Sequence, residues 1–235
     1  MTISIEGGEE VAKRTFNPHI GVEGGLSVLG TSGIVEPMSQ QAILDTIQLE
    51  MNQAALRAGS PRRLILAPGN YGLDYLHETY PEFHAVPVVK TSNFIGDTLD
   101  MAAAARFEEV LLVGHVGKLV KVAGGIMNTH SHSADARMEV LASNAIRAGA
   151  SLECAKEILN ASTTDEAIDI LEKYQILQKT MKEILDRIQF YLNHRSYEQI
   201  LLGAVIFNNT YGYLGQTADA EKLIKLINAQ NDEAQ

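Results

Sequence analysis

The densest group of side chains able to do acid–base or anion-binding chemistry lies between Gly114 and Arg137, in the run GHVGKLVKVAGGIMNTHSHSADAR. His115, Lys118, Lys121, His130, His132 and Arg137 fall within these 24 residues, which hold one acidic residue, Asp135. In a chain with 19 Lys plus Arg against 29 Asp plus Glu and a net charge of −10, this is a local basic patch. Ammonium and guanidinium groups make strong charge-assisted bonds to carboxylates, so the patch suits a ligand carrying several of them. The alternative is a solvated surface dotted with helix-capping residues. His115 with His130-x-His132 could also ligate a metal. No cysteine and only Asp135 accompany these imidazoles, so no metal site is expected.

A second source of chemistry is a set of short polar turns. They are Gly30-Thr31-Ser32-Gly33-Ile34-Val35-Glu36-Pro37-Met38-Ser39, Gly69-Asn70-Tyr71-Gly72, the run Thr91–Asp97, Gly114-His115-Val116-Gly117-Lys118 and Asn208–Gly212. Each follows a short apolar run and each carries glycine, so backbone N–H groups can approach a ligand closely. Tight turns need glycine for purely geometric reasons too, and one such loop alone would mean little. No Gly-x-Gly-x-x-Gly opens a helix after a strand, and no P-loop motif occurs, so the dinucleotide and P-loop readings lack their signatures. No Gly-x-Ser-x-Gly elbow supports a serine hydrolase. Cys154 lies in an apolar helical segment and reads as a small buried hydrophobe.

The elements that must position these residues alternate. Strands are expected at 25–30, 64–67, 85–90, 110–113 and 200–208. Helices are expected over 40–58 with Ser39 as N-cap, 94–107, 133–149 with Ser133 as N-cap, and from Thr217 onward. Thr163-x-x-Glu166 is a capping box. Leu177, Met181, Ile184, Leu185, Ile188 and Leu192 mark the buried face of a long helix. Ala42, Ile43, Ile47, Met51 and Ala54 do the same for the helix after Ser39. The strands are short and apolar on both faces, which predicts an α/β fold: a four-stranded parallel sheet, 64–67, 85–90, 110–113 and 200–208, covered by helices on both faces.

Hydrophobic residues make up 46% of the chain, enough for a core, and charged residues 20%. No apolar run approaches the roughly 18 residues of a membrane span. The N-terminus has neither the basic start nor the apolar centre of a signal peptide, and one cysteine cannot form an internal disulfide, so a cytoplasmic protein is expected. The negative charge argues against nucleic acid and anionic lipid as partners. Composition and spacing reach a small-molecule α/β enzyme with a site at the strand ends, and do not name its reaction.

Several blocks resemble the CbiD family, the cobalt-precorrin-5B C-1 methyltransferases of anaerobic cobalamin biosynthesis. They are Gly7-Gly8-Glu9-Glu10, Thr15-Phe16-Asn17-Pro18, GTSGIVEPMS at 30–39, PGNYG at 68–72, SNFIGD at 92–97, the run 114–137 and Asn209–Gly215. The resemblance implies S-adenosylmethionine as co-substrate, methyl transfer to C-1 of a cobalt-bearing corrin precursor, and no protein-bound metal. It also implies an α+β domain joined to an α/β domain with a four-stranded parallel sheet, unlike the common methyltransferase folds. Residues 1–38 then correspond to the remnant of the α+β domain and 39–235 to the α/β domain. The family's glycine-, threonine- and alanine-rich first segment has no counterpart here. A separate chain carrying that domain is therefore a candidate partner, and a non-catalytic fragment binding a corrin precursor or adenosyl ligand is the alternative function. Residues 1–38 are expected to expose apolar surface around Ile20, Val22, Leu26 and Val28. On this resemblance Glu36, His115 and His130 are the candidate catalytic groups. Lys118, Lys121, Asn128, His132 and Arg137 are candidates for holding the macrocycle, and Gly30, Thr31, Ser32, Gly33, Gly69, Asn70, Tyr71 and Gly72 for the adenosyl ligand.

Overall fold

The computed structural model describes residues 4–15, 24–26 and 39–233. The expected strand at 25–30, the expected apolar side chains Ile20, Val22 and Val28, and the loop 30–38 lie wholly or largely outside them. Leu26 is half-buried, with its side chain close to Gly8 of α1 (Gly8–Ala12).

From Ser39 the elements follow the sequence pattern. The Ser39 hydroxyl accepts the Ala42 N–H at 3.4 Å and opens α2 (Gln40–Arg57). Ile47, Met51 and Ala54 are its buried stripe, while Ala42 is exposed and Ile43 half-buried. Then come β1 (Arg63–Ala67), α3 (Asn70–Thr79), a 3₁₀ turn (Pro81–Ala85), β2 (Val88–Lys90), α4 (Ile95–Ala104), β3 (Glu109–His115) and α5 (Val116–Val122). Four helices, α6 (Arg137–Arg147), α7 (Leu152–Asn160), α8 (Thr164–Lys173) and α9 (Leu177–Ser196), precede β4 (Leu201–Asn208), β5 (Gly212–Gln216) and α10 (Ala218–Glu233).

The strand order is β2-β1-β3-β4-β5. The four expected strands are parallel neighbours, with Ile65 opposite Val88, Leu64 opposite Val110 and Val110 opposite Leu202. The sheet is nevertheless mixed, because β5 runs antiparallel along β4. Its cause is local. The Asn208 carboxamide oxygen accepts the N–H groups of Thr210 and Tyr211 at 2.7 and 3.0 Å, so the chain reverses and pairs back instead of crossing over.

Alternation along the strands supplies two cores. Leu64, Leu66, Val110, Leu112, Leu202, Ala204 and Ile206 pack under α2, α4, α5 and the α6–α9 array. Ile65, Leu111, Val113, Val205 and Phe207 face α3, the 3₁₀ turn and α10. Both faces are therefore covered, as a parallel sheet requires. The six residues marking the long helix are all buried on α9, and Cys154 is buried. Thr163 Oγ1 accepts the Glu166 N–H at 3.1 Å, and the Glu166 carboxylate returns to the Ser162 N–H at 2.8 Å.

Three boundaries differ from expectation by three residues or more, and one of them is the end of α4 at Ala104 rather than 107. β2 begins at Val88 rather than 85, because Pro81–Ala85 closes into a 3₁₀ turn. The helix expected from Ser133 begins at Arg137, capped at Ala136. Ser133 and Ala134 instead close a turn on the His130 carbonyl, and Lys121 takes the Ala134 carbonyl that a helix would have used.

Candidate functional site at the carboxyl ends of the strands

β1 and β3 are adjacent, yet the helices that follow them, α3 and α5, pack on opposite faces of the sheet. This divergence marks the switch point of the sheet, the place where α/β sheets have their ligand crevice. Gly69 ends β1's side of it with φ +91° and ψ −179°, a conformation reserved for glycine, and so delivers Asn70 and Tyr71 at the start of α3. Asn70 and Tyr71 are exposed. Gly72 is buried, and a Cβ there would stand 2.8 Å from the Val113 carbonyl oxygen, so it serves helix–strand packing rather than a ligand.

On β3's side, His115 is both the last strand residue and the N-cap of α5. Its Nδ1 accepts the Gly117 N–H at 3.1 Å. The neutral ring therefore carries its proton on Nε2 and presents a donor, not a base. Phe207 lies edge-on to the imidazole at 5.6 Å, and the Tyr71 ring is at 6.2 Å. Burial lowers the His115 pKa, and the nearby Asp165 carboxylate works against that. Asp165, in the first turn of α8, is held by the Asn208 amide at 2.7 Å, and Asn208 is 1% exposed.

One turn along α5, the half-buried Lys118 ammonium donates to the Ser92 carbonyl at 3.1 Å. A Cβ on Gly69 would come within 3.5 Å of that nitrogen, so the glycine and the lysine share one wall. Burial, with Lys121 nearby, lowers the Lys118 pKa. Ser92 has φ +52°, a strained position for a non-glycine residue, and such strain gathers at functional sites. Beyond it, between α2 and the ends of β1 and β2, lies a groove of about 240 Å³ with Gly69, Asn70, Lys90 and Ser92 on its sheet side.

The basic cluster does not converge. Lys121 is 2% exposed and donates to the Thr129 and Ala134 carbonyls at 3.0 and 2.6 Å, with Asp135 at 3.9 Å. It closes the 124–136 loop rather than presenting a charge to a ligand. Arg137 holds Asp135 through two bonds of 2.7 Å, so much of its charge is answered inside the chain. Burial lowers the Lys121 pKa, and the Arg137 guanidinium holds the Asp135 carboxyl below its ordinary value. His130 Nδ1 accepts the His132 N–H at 3.1 Å, and Asn128 Oδ1 accepts the His130 N–H at 3.1 Å. The loop is stitched to the segment after β2 by Thr129 N–H to Asn93 O at 2.8 Å and Gly96 N–H to Met127 O at 3.1 Å. The blocks 92–97 and 114–137 thus form one bonded rim beside the crevice.

Glu36, Gly30, Thr31, Ser32 and Gly33 lie outside the described residues. Among the described residues no group of three or more His, Cys, Asp or Glu side chains could hold a metal ion. Asp165 is not singled out by the sequence, and Asn208 enters there only as the first residue of the turn Asn208–Gly212. The capping box at Thr163 was the available signal for Asp165, and the end of the last apolar run was the signal for Asn208.

His115 makes a pH prediction. Its folded pKa lies below the unfolded value of about 6.5, so the unfolded chain binds the extra proton and stability falls as pH drops through that value. Urea unfolding at pH 7.5, 6.5 and 5.5 should show the loss, and His115→Asn, which keeps a capping oxygen, should flatten it. An unchanged slope in the variant would place the loss elsewhere.

The comparisons with known proteins bear on the family. The family description "CbiD, C-terminal domain" matches residues 128–218, and "CbiD" matches residues 1–37. A protein of Alkaliphilus metalliredigens called cobalt-precorrin-5B C(1)-methyltransferase is 39% identical over 230 residues, 98% of this chain and 60% of its own length. Those of the same name from Ruminiclostridium cellulolyticum and Methanocaldococcus jannaschii are 43% and 40% identical, over 89% and 92% of this chain and 54% and 58% of their own lengths. The chain thus spans little more than half of the curated relatives it matches. No solved structure matches it. With two CbiD descriptions and these relatives aligned along it, the chain belongs to the CbiD family.

Proposed function

We propose that the chain works in S-adenosylmethionine-dependent methyl transfer to C-1 of cobalt-precorrin-5B, giving cobalt-precorrin-6A in anaerobic cobalamin biosynthesis. The observation that carries the proposal is the identity, 36% to 47%, to proteins named for this reaction. The crevice supports it. S-adenosylmethionine, when bound, supplies a methyl group already activated on a sulfonium. What remains for the protein is alignment, exclusion of water and polar contact with the accepting ring. Gly69 and Asn70 let backbone approach a ligand, the Lys118 ammonium suits a ligand carboxylate, and the His115 Nε2–H can donate to the ring as its charge changes.

In this reading the macrocycle lies along the 128–137 rim, where Asn128, His130, His132 and Arg137 meet its acetate and propionate arms. Lys121 shapes that rim from inside. Residues 1–38 belong with the first domain, a division supported by the separate "CbiD" match to 1–37. A cytoplasmic setting fits. Among the described residues no helix is long and apolar enough to cross a membrane.

Incubating the chain with cobalt-precorrin-5B and methyl-labelled S-adenosylmethionine should place the label at C-1. His115→Phe should slow the transfer by about a hundredfold to a thousandfold, the usual effect of losing one donor to a developing charge. Absence of label on the macrocycle would overturn the proposal.

A further inference from the structure

The groove beside Lys118 has a chemistry of its own. Its α2 wall presents Ile43, Ile47 and Glu50, spaced i, i+4 and i+7 and so on one side of the helix. The opposite wall runs from Gly69 and Asn70 after β1 to Lys90 at the end of β2 and Ser92 beyond it. The Lys90 N–H donates to a Glu50 carboxylate oxygen at 3.3 Å and fixes that group against the strand end. Near Ser92 and Gly69 stands the Lys118 ammonium. A ligand lying here would meet aliphatic side chains, a carboxylate acceptor and an ammonium. At about 240 Å³ the groove is smaller than the roughly 300–1,000 Å³ of whole-ligand pockets, so it fits one part of a larger molecule.

We infer that this groove is a nucleoside seat: Ile43 and Ile47 pack the base, Glu50 accepts from the ribose hydroxyls, and Lys118 receives the carboxylate at the end of the ligand's tail. The match is chemical at each point. A flat heterocycle buries its face on branched aliphatic side chains, a vicinal diol donates to a carboxylate as in dinucleotide sites, and an ammonium pairs with a carboxylate. A corrin ring is too broad for the groove and offers no diol. The inference rests on the methyltransferase reading and deepens it, because it assigns the adenosyl half of the co-substrate to α2 and β2 and leaves the β1–β3 crevice for the reacting atoms.

The test is calorimetric titration of the full chain with adenosine, 2′-deoxyadenosine and S-adenosylhomocysteine. Adenosine should bind about tenfold more tightly than 2′-deoxyadenosine, and Glu50→Gln should remove that difference, the scale of one lost charge-assisted hydrogen bond. Lys118→Met should weaken S-adenosylhomocysteine by about tenfold or more and leave adenosine within about twofold. Equal affinities for the two nucleosides in the unaltered chain would overturn the seat without any variant having to fold. If S-adenosylhomocysteine still bound in that case, the methyltransferase reading would stand and only the seat would fall. If S-adenosylhomocysteine failed to bind at all, both would fall.

Discussion

Gly203→Ala is expected to cost about 3 kcal/mol or more, the upper end of what overpacking a core does. A Cβ at this position would stand 2.3 Å from the backbone nitrogen of Ala220 and 2.4 Å from its Cα. The obstruction is backbone, so no rotamer change relieves it. α10 cannot swing away freely either. Thr217 Oγ1 accepts the Ala204 N–H at 3.0 Å, and the Thr217 N–H returns to the Ala204 carbonyl at 2.9 Å. Methyl insertion therefore sets the helix start against the strand that anchors it. Urea unfolding measures the cost, with Gly59→Ala as control, since a Cβ there meets nothing within 4 Å. A Gly203→Ala protein as stable as the control would mean that α10 docks less closely than described.

The second large effect belongs to Lys121. Lys121→Met keeps the apolar stem and removes the donor from two carbonyls, Thr129 and Ala134. A buried acceptor left unsatisfied costs about 1–3 kcal/mol, so a loss of about 2–4 kcal/mol is expected. Arg137→Ala should cost under about 1 kcal/mol, because its pair with Asp135 is partly solvated. Paired urea titrations give both numbers. The opposite pattern, with Lys121→Met stable and substrate binding lost, would return Lys121 to the ligand.

That contrast shows where the sequence was transparent and where it was opaque. The cluster at 114–137 was visible as composition, but composition has no direction. Lys118 and Lys121 sit three residues apart on α5, yet one reaches the Ser92 carbonyl and the other is roofed by a loop that folds back over it. Nothing local in the sequence announces that loop. Three of the parallel strands, β1, β3 and β4, are readable because both of their faces are buried, leaving apolar runs, while β2 at the sheet edge buries only Val89 fully. β5 is not readable, since Gly212-Tyr213-Leu214-Gly215-Gln216 buries only Leu214 and carries two glycines. The start of α3 reads as a turn in the sequence because Gly72 sits in its first turn, where the demand comes from the Val113 carbonyl across the sheet. Asp165 and Asn208, far apart in sequence, become a pair only once α8 lies against the end of β4.

The pairing of β3 with β4 has a further consequence, in time rather than in space. Glu109 lies opposite Leu201, so the middle of the sheet is closed by residues roughly 90 positions apart, with α5 to α9 made in between. A ribosome must release the chain through β4 before that closure, and until then β3 presents an open edge of backbone donors and acceptors. The same closure brings Asn208 to Asp165 and Phe207 to His115. The His115 side of the crevice is therefore among the last parts of the molecule to come into being, completed by the step that seals the sheet.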